Sequence, residues 1–597
     1  MPAPSPTPPK CRPSLLSLAI TGILLAPGAH AATITVGSTA DDGTGCTLRE
    51  AITSINDASA ADGCTNGGGG FGTDDTIVFD SAVTGTITLA GNELGITQSV
   101  SIDGPGADAL AVDGGQQSRI FNIGAGTTVA IDGLTIQNGS TADDGGGIYV
   151  YGATLTISNS TVSGNFADDD GGGISADGAT LTVTNSTVTG NSTGGDDGGG
   201  LFAGSGTLMT VSDSTISGNS AADDGGGIRV SVSQLMLTNS AVTGNYAADD
   251  GGGIRVVDSQ LTLTNSTVAG NSAEDDGGGI RASSTSTVTI TNCTISGNSA
   301  IGDDGGGLRI DDVSTLKLTN STVASNSAAS DGGGIFVSSP SIGSSSSMTL
   351  TNSIIANSPG GGDCRAVDAD VTGSYNLIGD SGDDACGLSN GADNNIIGTD
   401  PDLDPLADNG CVTRAGDPDG PPASYGCVQT HALSIDSPAL DAADDASAPE
   451  TDERGATRPA GSGDDMGAFE LGPPSPPTGV SATAGVAQAT VSWTPPTSSG
   501  LTALTACTAT ADPGGATCTA PAGTNQCTIT GLTLGTEYIF TVACDNASAI
   551  TGFASTTSNK VTPNAGPAPI PTLSVWGLLA SAGLLGLFGA RRQRRRR

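Results

Sequence analysis

Short runs in which apolar and polar residues alternate recur along the middle of the chain, as in LTVTNSTVTGN at residues 181–191. Alternation with a period of two is typical of half-buried β-strands. Each repeat contains two such β-branched runs, then a glycine tract reading DDGGG[IL], and then a third run. The pattern therefore predicts three strands per repeat.

The glycine tract returns at a nearly constant spacing. Successive copies are 26, 27, 27, 26, 26, 28 and 27 residues apart, measured between their last glycines. The copies lie at residues 143–148, 169–174, 196–201, 223–228, 249–254, 275–280 and 303–308, with a degenerate one at 330–335. A fixed period of this length indicates a solenoid of stacked coils, which exposes rows of identical side chains.

Asparagines fall in two columns along the repeats, one represented by Asn185 and the other by Asn191. Asparagine tolerates turn geometry, and stacked copies can hydrogen-bond along a column, so both columns are interpreted as corners between strands. Helical repeats would need runs of helix formers, whereas these repeats are rich in Thr, Ser, Gly, Asn and Val. The sequence thus predicts an all-β protein whose residues 76–357 form a right-handed parallel β-helix with three strands per coil of about 27 residues.

Both ends of the chain carry signals for export. Lys10 and Arg12 precede an apolar run and an Ala-His-Ala site, which predicts a signal peptide over residues 1–31. Near the other end, residues 573–590 form an apolar stretch long enough to span a bilayer, followed by six arginines.

Residues 570–597 closely resemble the IPTL-CTERM sorting signal. The resemblance rests on Ile570, Pro571, Thr572, Leu573, Trp576 and Gly577 together with the apolar span and the arginines. It implies recognition by a membrane-embedded, exosortase-type processing enzyme. It also implies that the protein is held transiently in the inner membrane of a Gram-negative bacterium and ends at the cell surface or outside the cell.

The charge balance narrows the range of partners. The full chain carries a net charge of −41. Removal of both predicted signals takes away eight basic residues and no acidic ones, which makes the net charge −49. Such a charge argues against nucleic acid and anionic membranes as partners and favours cations.

Cysteines outside the signal cluster locally, mostly beyond the repeats, which is typical of disulfide staples in an exported protein. The candidates for disulfides are Cys46, Cys64, Cys364, Cys386, Cys411, Cys427, Cys507, Cys518, Cys527 and Cys544. Cys293 stands apart, at a position where other repeats have serine. No CxxC pair or histidine accompanies it, so a metal or redox role is not expected.

The segments flanking the repeats resemble known modules of exported bacterial surface proteins. CTLREAI at residues 46–52 resembles the CSLREA motif, which implies an N-terminal cap over residues 32–75. Residues 358–471 contain NLIGD, TDPDLDPLADNG, THALSIDSPALDA, DERGATRP and DMGAFE in this order. Together they resemble the choice-of-anchor Q region, which implies a C-terminal cap and attachment architecture without an activity.

Residues 472–563 resemble a fibronectin type III domain, a β-sandwich. The resemblance is carried by Trp493, Leu532 and Tyr538, each within its expected strand or turn motif. Its four cysteines are unusual for the family, and we expect pairs 507–544 and 518–527. A linker at 564–569 joins this domain to the sorting signal.

Two adjacent columns of aspartate precede the glycines. If they stack about 5 Å apart, each like-charge contact costs roughly 1 kcal/mol in water, so something must offset the charge. Three answers stay open: bound calcium, cationic side chains, or solvation with salt screening. The residues that would ligate calcium are Asp144, Asp170, Asp197, Asp224, Asp250, Asp276 and Asp304.

Arginine supplies the second answer in four consecutive coils, at Arg229, Arg255, Arg281 and Arg309. Alternation along GGGIRV places isoleucine and valine inward and arginine outward. This pattern favours an arginine-compensated, solvated face over calcium.

Two functions stay open at this point. The first is a non-enzymatic adhesin or matrix component whose ligand is an unidentified polysaccharide or protein. The second is a carbohydrate-active β-helix enzyme, a lyase or hydrolase acting on acidic polysaccharide with clustered carboxylates. Repetition argues against the enzyme, because catalytic constellations are local. His431 is the only histidine outside the signal peptide, so we expect no catalytic residues and no certain cofactor.

Overall fold

A computed structural model describes residues 31–564, except 42, 44, 62, 68, 73–74, 340–344, 410–427, 461, 473, 497–503, 547–551 and 553. The signal peptide up to residue 30, the sorting signal with Ile570 and Leu573, and the cysteines Cys411 and Cys427 lie outside the described residues. No helix among the described residues has the length and apolarity needed to cross a membrane. The predicted span at 573–590 is outside that range.

The predicted β-helix is confirmed: strands of successive coils pair in parallel and in register. Three long sheets follow one another around the coil, and a narrow fourth sheet of two-residue strands lies between the second and the last. Thirteen stacked strands give the solenoid a length of roughly 60 Å at about 4.8 Å per coil.

The sheets of the solenoid are numbered in the order in which the chain visits them. Sheet 1 contains Thr33–Val36, Asp75–Phe79, Val100–Asp103, Thr128–Asp132, Thr154–Ser158, Thr180–Thr184, Leu208–Ser212, Gln234–Thr238, Gln260–Thr264, Thr287–Thr291, Thr315–Thr319, Ser347–Thr351 and Asp370–Ser374. Sheet 2 contains Gly85–Thr88, Leu110–Asp113, Thr135–Gln137, Thr161–Ser163, Thr187–Thr189, Thr215–Ser217, Ala241–Thr243, Thr267–Ala269, Thr294–Ser296, Thr322–Ala324, Ile354–Ala356, Leu377–Ile378 and Ile396–Ile397.

The other two sheets complete the coil. Sheet 3 contains Ser140–Thr141, Phe166–Ala167, Ser192–Thr193, Ser220–Ala221, Tyr246–Ala247, Ser272–Ala273, Ser299–Ala300 and Ser327–Ala328. Sheet 4 contains Leu94–Ile96, Phe121–Ile123, Ile148–Tyr151, Ile174–Asp177, Leu201–Gly204, Ile228–Ser231, Ile254–Val257, Ile280–Ser283, Leu308–Ile310, Ile335–Ser338 and Cys364–Val367. The strands thus begin before residue 76 and continue beyond residue 357.

Small aliphatic side chains fill the inside of the coil. In Thr180–Thr184, for example, Leu181 and Val183 are fully buried while the three threonines are partly exposed. The same alternation repeats from coil to coil, so leucine, valine and isoleucine stack on their counterparts. Burial of these columns provides the hydrophobic stabilisation that no single coil could supply.

The two asparagine columns have different roles. Asn185 belongs to the first column and has a φ of 49°, the left-handed corner conformation that asparagine tolerates. Asn245 belongs to the second and is buried, with its amide hydrogen-bonded to Ile216 O and to Asn271 Oδ1 of the following coil. From Asn165 to Asn326 the second column is therefore a hydrogen-bonded ladder inside the solenoid, which we call the asparagine ladder.

The N-terminal end is closed by helix α1, Leu48–Asn56. Its apolar side, with Leu48, Ile52 and Ile55, joins the core of the first coils. Arg49 fixes the helix through Asp41 at 2.8 Å. This is the segment that resembles the CSLREA motif.

At the other end, the chain leaves the solenoid after two 3₁₀ turns, Gly382–Asp384 and Ala392–Asn394, and returns along its side. The described residues of 398–472, which we call the lateral segment, lie against the outer face of sheet 2. Thr267 and Thr294 donate hydrogen bonds to the Glu453 carboxyl, and Ser296 contacts His431 Nε2 at 2.8 Å. The segment thus covers the later coils of sheet 2.

Two antiparallel three-stranded sheets follow. The first consists of Thr478–Gly485, Gln488–Thr494 and Gln526–Thr530, and the second of Thr517–Pro521, Leu504–Asp512 and Ile539–Asn546. Trp493, Leu532 and Tyr538 lie in their common core, which is consistent with a fibronectin type III sandwich.

The described cysteines pair within their predicted groups. The disulfides join Cys46 to Cys64, Cys364 to Cys386, Cys507 to Cys544 and Cys518 to Cys527. Cys293 is a free, fully buried thiol that donates to Thr291 O, and burial raises its pKa.

Candidate functional site

Each glycine triplet follows two aspartates, of which we call the one directly before the glycines the inner aspartate and its predecessor the outer aspartate. Oδ1 of each inner aspartate from Asp144 to Asp304 accepts the backbone N–H of the inner aspartate in the following coil, at 2.9 to 3.2 Å. The carboxylate therefore joins consecutive glycine turns. This contact explains why every coil repeats the residue, whether or not it binds a ligand.

Four arginines stand between the inner aspartates and form what we call the arginine ladder. Each one contacts the inner aspartate of its own coil and that of the preceding coil. The ladder consists of Arg229 with Asp197 and Asp224, Arg255 with Asp224 and Asp250, Arg281 with Asp250 and Asp276, and Arg309 with Asp276 and Asp304. Positive and negative groups thus alternate along four coils. Asp311 adds a further carboxylate beside Arg281 and Arg309.

The predicted cationic compensation is present in these coils, but the prediction of a solvated face is wrong for them. The arginine side chains are only 9 to 17% exposed, and those of Asp250 and Asp276 only 7% and 6%. Arginine leaves its strand away from the aliphatic core, as alternation predicts, but the glycine turn of its own coil then packs against it: a Cβ on Gly251 would lie 2.9 Å from Arg255 Cβ. A buried ladder is less sensitive to salt than a solvated one.

Glycine is required beside this ladder because the backbones approach closely. Gly225, the first glycine of its triplet, has a φ of 68° and therefore lies in the left-handed region, which favours glycine. A Cβ on Gly227 would lie 2.6 Å from Gly253 O and 3.0 Å from the Asn245 amide. The triplet therefore packs the aspartate turn directly onto the asparagine ladder.

Aromatic residues end the ladder on both sides. Phe202 occupies the arginine position in the preceding coil and Phe336 in the following one. Arg309 lies over the Phe336 ring, 5.0 Å from its centroid. Towards the N-terminus the same position holds Ser175 and Tyr149, which leaves the inner aspartates of those coils without an arginine of the ladder.

Asp170 shows the consequence of lacking an arginine partner from the ladder. The ion pairs of the described residues include none to Asp170. Burial, reinforced by the carboxylates of Asp197 and Asp144, raises the pKa of Asp170 to about 7. In the ladder, burial also raises the pKa of Asp224 to about 6, although Arg255 and Arg229 oppose the shift.

We expect Asp170→Asn to stabilise the protein at pH 8. A carboxyl whose pKa is raised in the folded state stabilises the fold below its unfolded pKa, and this contribution is lost as the pH rises through about 7. Asparagine keeps the Oδ1 acceptor for Asp197 N–H without the charge. Melting temperatures at pH 5 and pH 8 should therefore differ less in the variant than in the wild type. Asp169→Asn, at the exposed outer neighbour, should leave this difference unchanged.

Neighbouring coils bring outer and inner carboxylates together. The described residues contain three trios with ligand atoms within 4.8 Å of one another: Asp223, Asp224 and Asp249; Asp249, Asp250 and Asp275; and Asp276, Asp303 and Asp304. Four of the seven predicted calcium ligands lie in these trios. Their inner carboxylates already accept an N–H and contact arginine, so the outer aspartates would provide most of the free oxygen ligands.

Calcium binding stays a prediction. If the ion is used, EDTA lowers the melting temperature and added Ca²⁺ restores it, because an ion bound only to the folded state stabilises it. The comparison is made at constant ionic strength with Mg²⁺ in parallel, since simple screening acts with either ion. An EDTA-insensitive melting curve would show that calcium does not hold the carboxylates together.

Two depressions of the solenoid surface contain acidic side chains, which a carbohydrate-active enzyme would need. The larger, with a volume of about 570 Å³, contains Glu93, Arg119 and Asp143, and the smaller, of about 290 Å³, contains Gln234 and Asp258 among hydroxyl residues. Arg119 donates to Glu93 at 2.7 Å and to the carbonyl of Asp144. Its guanidinium therefore positions the first glycine turn and is not a proton acceptor.

His431 and its partner Ser296 are only 5% and 3% exposed, because they lie where the lateral segment packs on sheet 2. Both ring nitrogens are occupied, Nδ1 by Asp404 O and Nε2 by Ser296 Oγ, and burial lowers its pKa. Glu453, next along the interface, is fully buried, which raises its pKa far above the ordinary value. Sequence reasoning did not assign roles to these two residues, and their partners on the solenoid are more than 130 positions away.

Comparison with known families agrees with this geometry. Residues 118–295 and 172–343 match the model of a right handed beta helix region. Residues 475–563 match the fibronectin type III domain, and residues 568–596 match the IPTL-CTERM motif. The resemblances to the CSLREA motif and to the choice-of-anchor Q region stay predictions.

Three solved structures match a small part of the chain. A structure of titin domains is 22% identical, with a TM-score of 0.14, over 16% of this chain and 33% of that chain. Titin kinase with its flanking domains is 23% identical, with a TM-score of 0.13, over 15% and 17%. A myokine structure is 21% identical, with a TM-score of 0.12, over 15% and 99%. No curated protein gives a significant match.

The fold and the matched segments define a class, the β-helix proteins that carry a fibronectin type III domain. The IPTL-CTERM motif implies export, processing by an exosortase-type enzyme and sorting to the surface.

Proposed function

We propose that the protein is a non-enzymatic adhesin or extracellular matrix component. The observation that carries this proposal is the uniformity of the solenoid: strands of sheet 1 rich in outward hydroxyl residues recur in register over many coils. A catalytic site would need a local set of groups in defined roles. A repeated surface instead binds a repeated or extended partner with many equal contacts.

The localisation follows from the two predicted signals. The apolar C-terminal segment holds the chain in the inner membrane of a Gram-negative cell until the exosortase-type enzyme processes it. The mature protein then presents the solenoid at the cell surface or in the matrix, with the fibronectin type III domain between the solenoid and the attachment point. This order of domains supports a display function.

The mature protein, predicted as residues 32–569, provides the test. It is immobilised on beads and exposed to a glycan array, to purified exopolysaccharides and to whole cells. Retention without any change in polymer length supports the adhesin. The same polysaccharides are incubated with the free protein, and their chain length and unsaturated ends are measured.

The competing function is a carbohydrate-active enzyme on acidic polysaccharide. The depression with Glu93, Asp143 and Asp168 favours it, since this is a place where acidic groups meet outside the regular ladder. Depolymerisation that is lost in Glu93→Gln would establish the enzyme and overturn the adhesin. The net charge of −41 disfavours the enzyme, because the protein would repel an acidic polysaccharide.

A further inference from the structure

The outer face of sheet 1 is a regular array of hydroxyl groups. In the eight strands from Thr154–Ser158 to Ser347–Thr351, the second and fourth residues are buried and the first, third and fifth point outward. All but five of these 24 outward positions are threonine or serine, the exceptions being Leu208, Gln234, Met236, Gln260 and Lys317. All but Thr319 are exposed or partly exposed. We call this surface the threonine face.

Charge is nearly absent from the threonine face. Lys317 is its one charged residue, although the whole chain has 61 acidic residues and a net charge of −41. In these coils the aspartates are concentrated in the glycine turns before sheet 4. A charged ligand would find only Lys317 as a charged group on the threonine face, so the electrostatics favour a neutral partner.

The spacing of the array is fixed by the fold. Neighbouring strands pair residue by residue, with Thr182 opposite Thr210, so outward side chains repeat at about 4.8 Å across the strands and about 6.7 Å along them. Threonine is β-branched and stiff at χ1, which keeps methyl and hydroxyl groups in rows. Thr184 and Ser212 hydrogen-bond at 3.1 Å along one such row. The face is therefore periodic in two directions.

A surface that is neutral and periodic in two directions is complementary to a neutral crystal. Ice is such a crystal, with rows of oxygen atoms at comparable spacings in both directions. Threonine hydroxyls can join a water lattice, and the methyl groups between them order the water that fills the rows. A neutral polysaccharide is a weaker fit, because sugar rings stack on aromatic side chains and the outward positions of these eight strands contain none.

We propose that the threonine face binds ice. This inference rests on the proposed adhesin function, since it names the solid to which the solenoid attaches. It requires no bound metal and no chemical step.

Slow freezing of a solution of the mature protein provides the test, with the protein measured in the ice and in the remaining liquid. Inhibition of ice recrystallisation is recorded in parallel. The variant carries Thr182→Tyr and Thr210→Tyr in adjacent coils of the face, where tyrosine is a good strand former. The matched control carries Ser163→Tyr and Thr189→Tyr in the neighbouring sheet 2. Circular dichroism and melting curves verify that all three proteins fold.

We expect the wild type and the sheet 2 control to enter the ice and to keep ice grains small, and the threonine-face variant to lose both effects. Exclusion of the wild type from ice, or undiminished ice binding by the threonine-face variant, overturns the inference. Binding of the face to a neutral glycan without ice binding overturns it as well, but leaves the adhesin intact. If the mature protein binds neither ice nor any ligand in the bead assay, the proposed adhesin function is wrong as well.

Discussion

Replacing Arg255 with alanine is expected to lower the free energy of unfolding by about 3 kcal/mol, because a buried ion pair that loses one partner leaves an uncompensated charge. The Arg255 side chain is 9% exposed and lies 3.2 Å from Asp224 and 3.6 Å from Asp250. In the variant Asp224 still contacts Arg229, and Asp250 still contacts Arg281. The expected loss of stability is therefore at the lower end of the range for a broken buried ion pair. Urea unfolding at pH 8, followed by circular dichroism, measures the change.

Arg365→Ala is the matched control, since its partner Asp383 is 88% exposed. A surface pair of this kind contributes little to stability, because water and salt screen it. At pH 5 the Arg255→Ala effect should shrink, because Asp224, with a pKa of about 6, can become neutral there. If Arg255→Ala cost no more than Arg365→Ala, the ladder would not stabilise the solenoid.

The sequence predicts the path of the chain well because the fold is repetitive. A step of 26 to 28 residues, a period-two alternation and asparagines at fixed positions leave few ways to bury the aliphatic residues except by stacking coil on coil. Cys507 and Cys544 were likewise expected to pair, and they lie opposite each other on neighbouring strands. These properties depend on local pattern and period.

The environment of a side chain depends on more than the pattern. Alternation predicts that Arg255 points away from the aliphatic core, and this prediction is correct. It does not give the position of the adjacent glycine turns, which reduce the exposure of the side chain to 9%. For the same reason the aspartate columns were expected to be solvated, whereas Asp250 is buried and accepts the N–H of Asp276.

The lateral segment was beyond sequence reasoning for a different reason. Its contacts join residues far apart in the chain, such as Thr294 with Glu453, 159 positions later. Nothing in the repeat marks Thr294 as covered and Thr187 as uncovered, although both occupy the same column of sheet 2. Which threonines of this column are covered depends on the lateral segment. Because that segment is not repetitive, a periodic pattern cannot reveal its partners.

Asn245→Ala is expected to have the largest effect, a loss of about 4 kcal/mol in the free energy of unfolding, because it leaves buried polar groups unsatisfied and opens a cavity. The amide of Asn245 donates to Ile216 O at 3.1 Å and accepts from Asn219 N–H at 2.9 Å. Both backbone groups lose these partners, and the site is sealed from water, with Asn245 only 1% exposed. Urea unfolding curves again provide the measurement.

Asn239, in the same coil, is the control because it belongs to the corner column. Its φ of 49° suits glycine, and its long amide contacts to Asp213 and Asn265, at 3.2 and 3.3 Å, lie partly in solvent. Asn239→Gly should therefore change the free energy of unfolding by no more than about 0.5 kcal/mol. Equal losses in the two variants would show that the columns are equivalent and that the stability of the coil does not depend on the buried amides. If only Asn245→Ala lowers the free energy of unfolding, the asparagine ladder, like the arginine ladder, is a polar element that holds consecutive coils together.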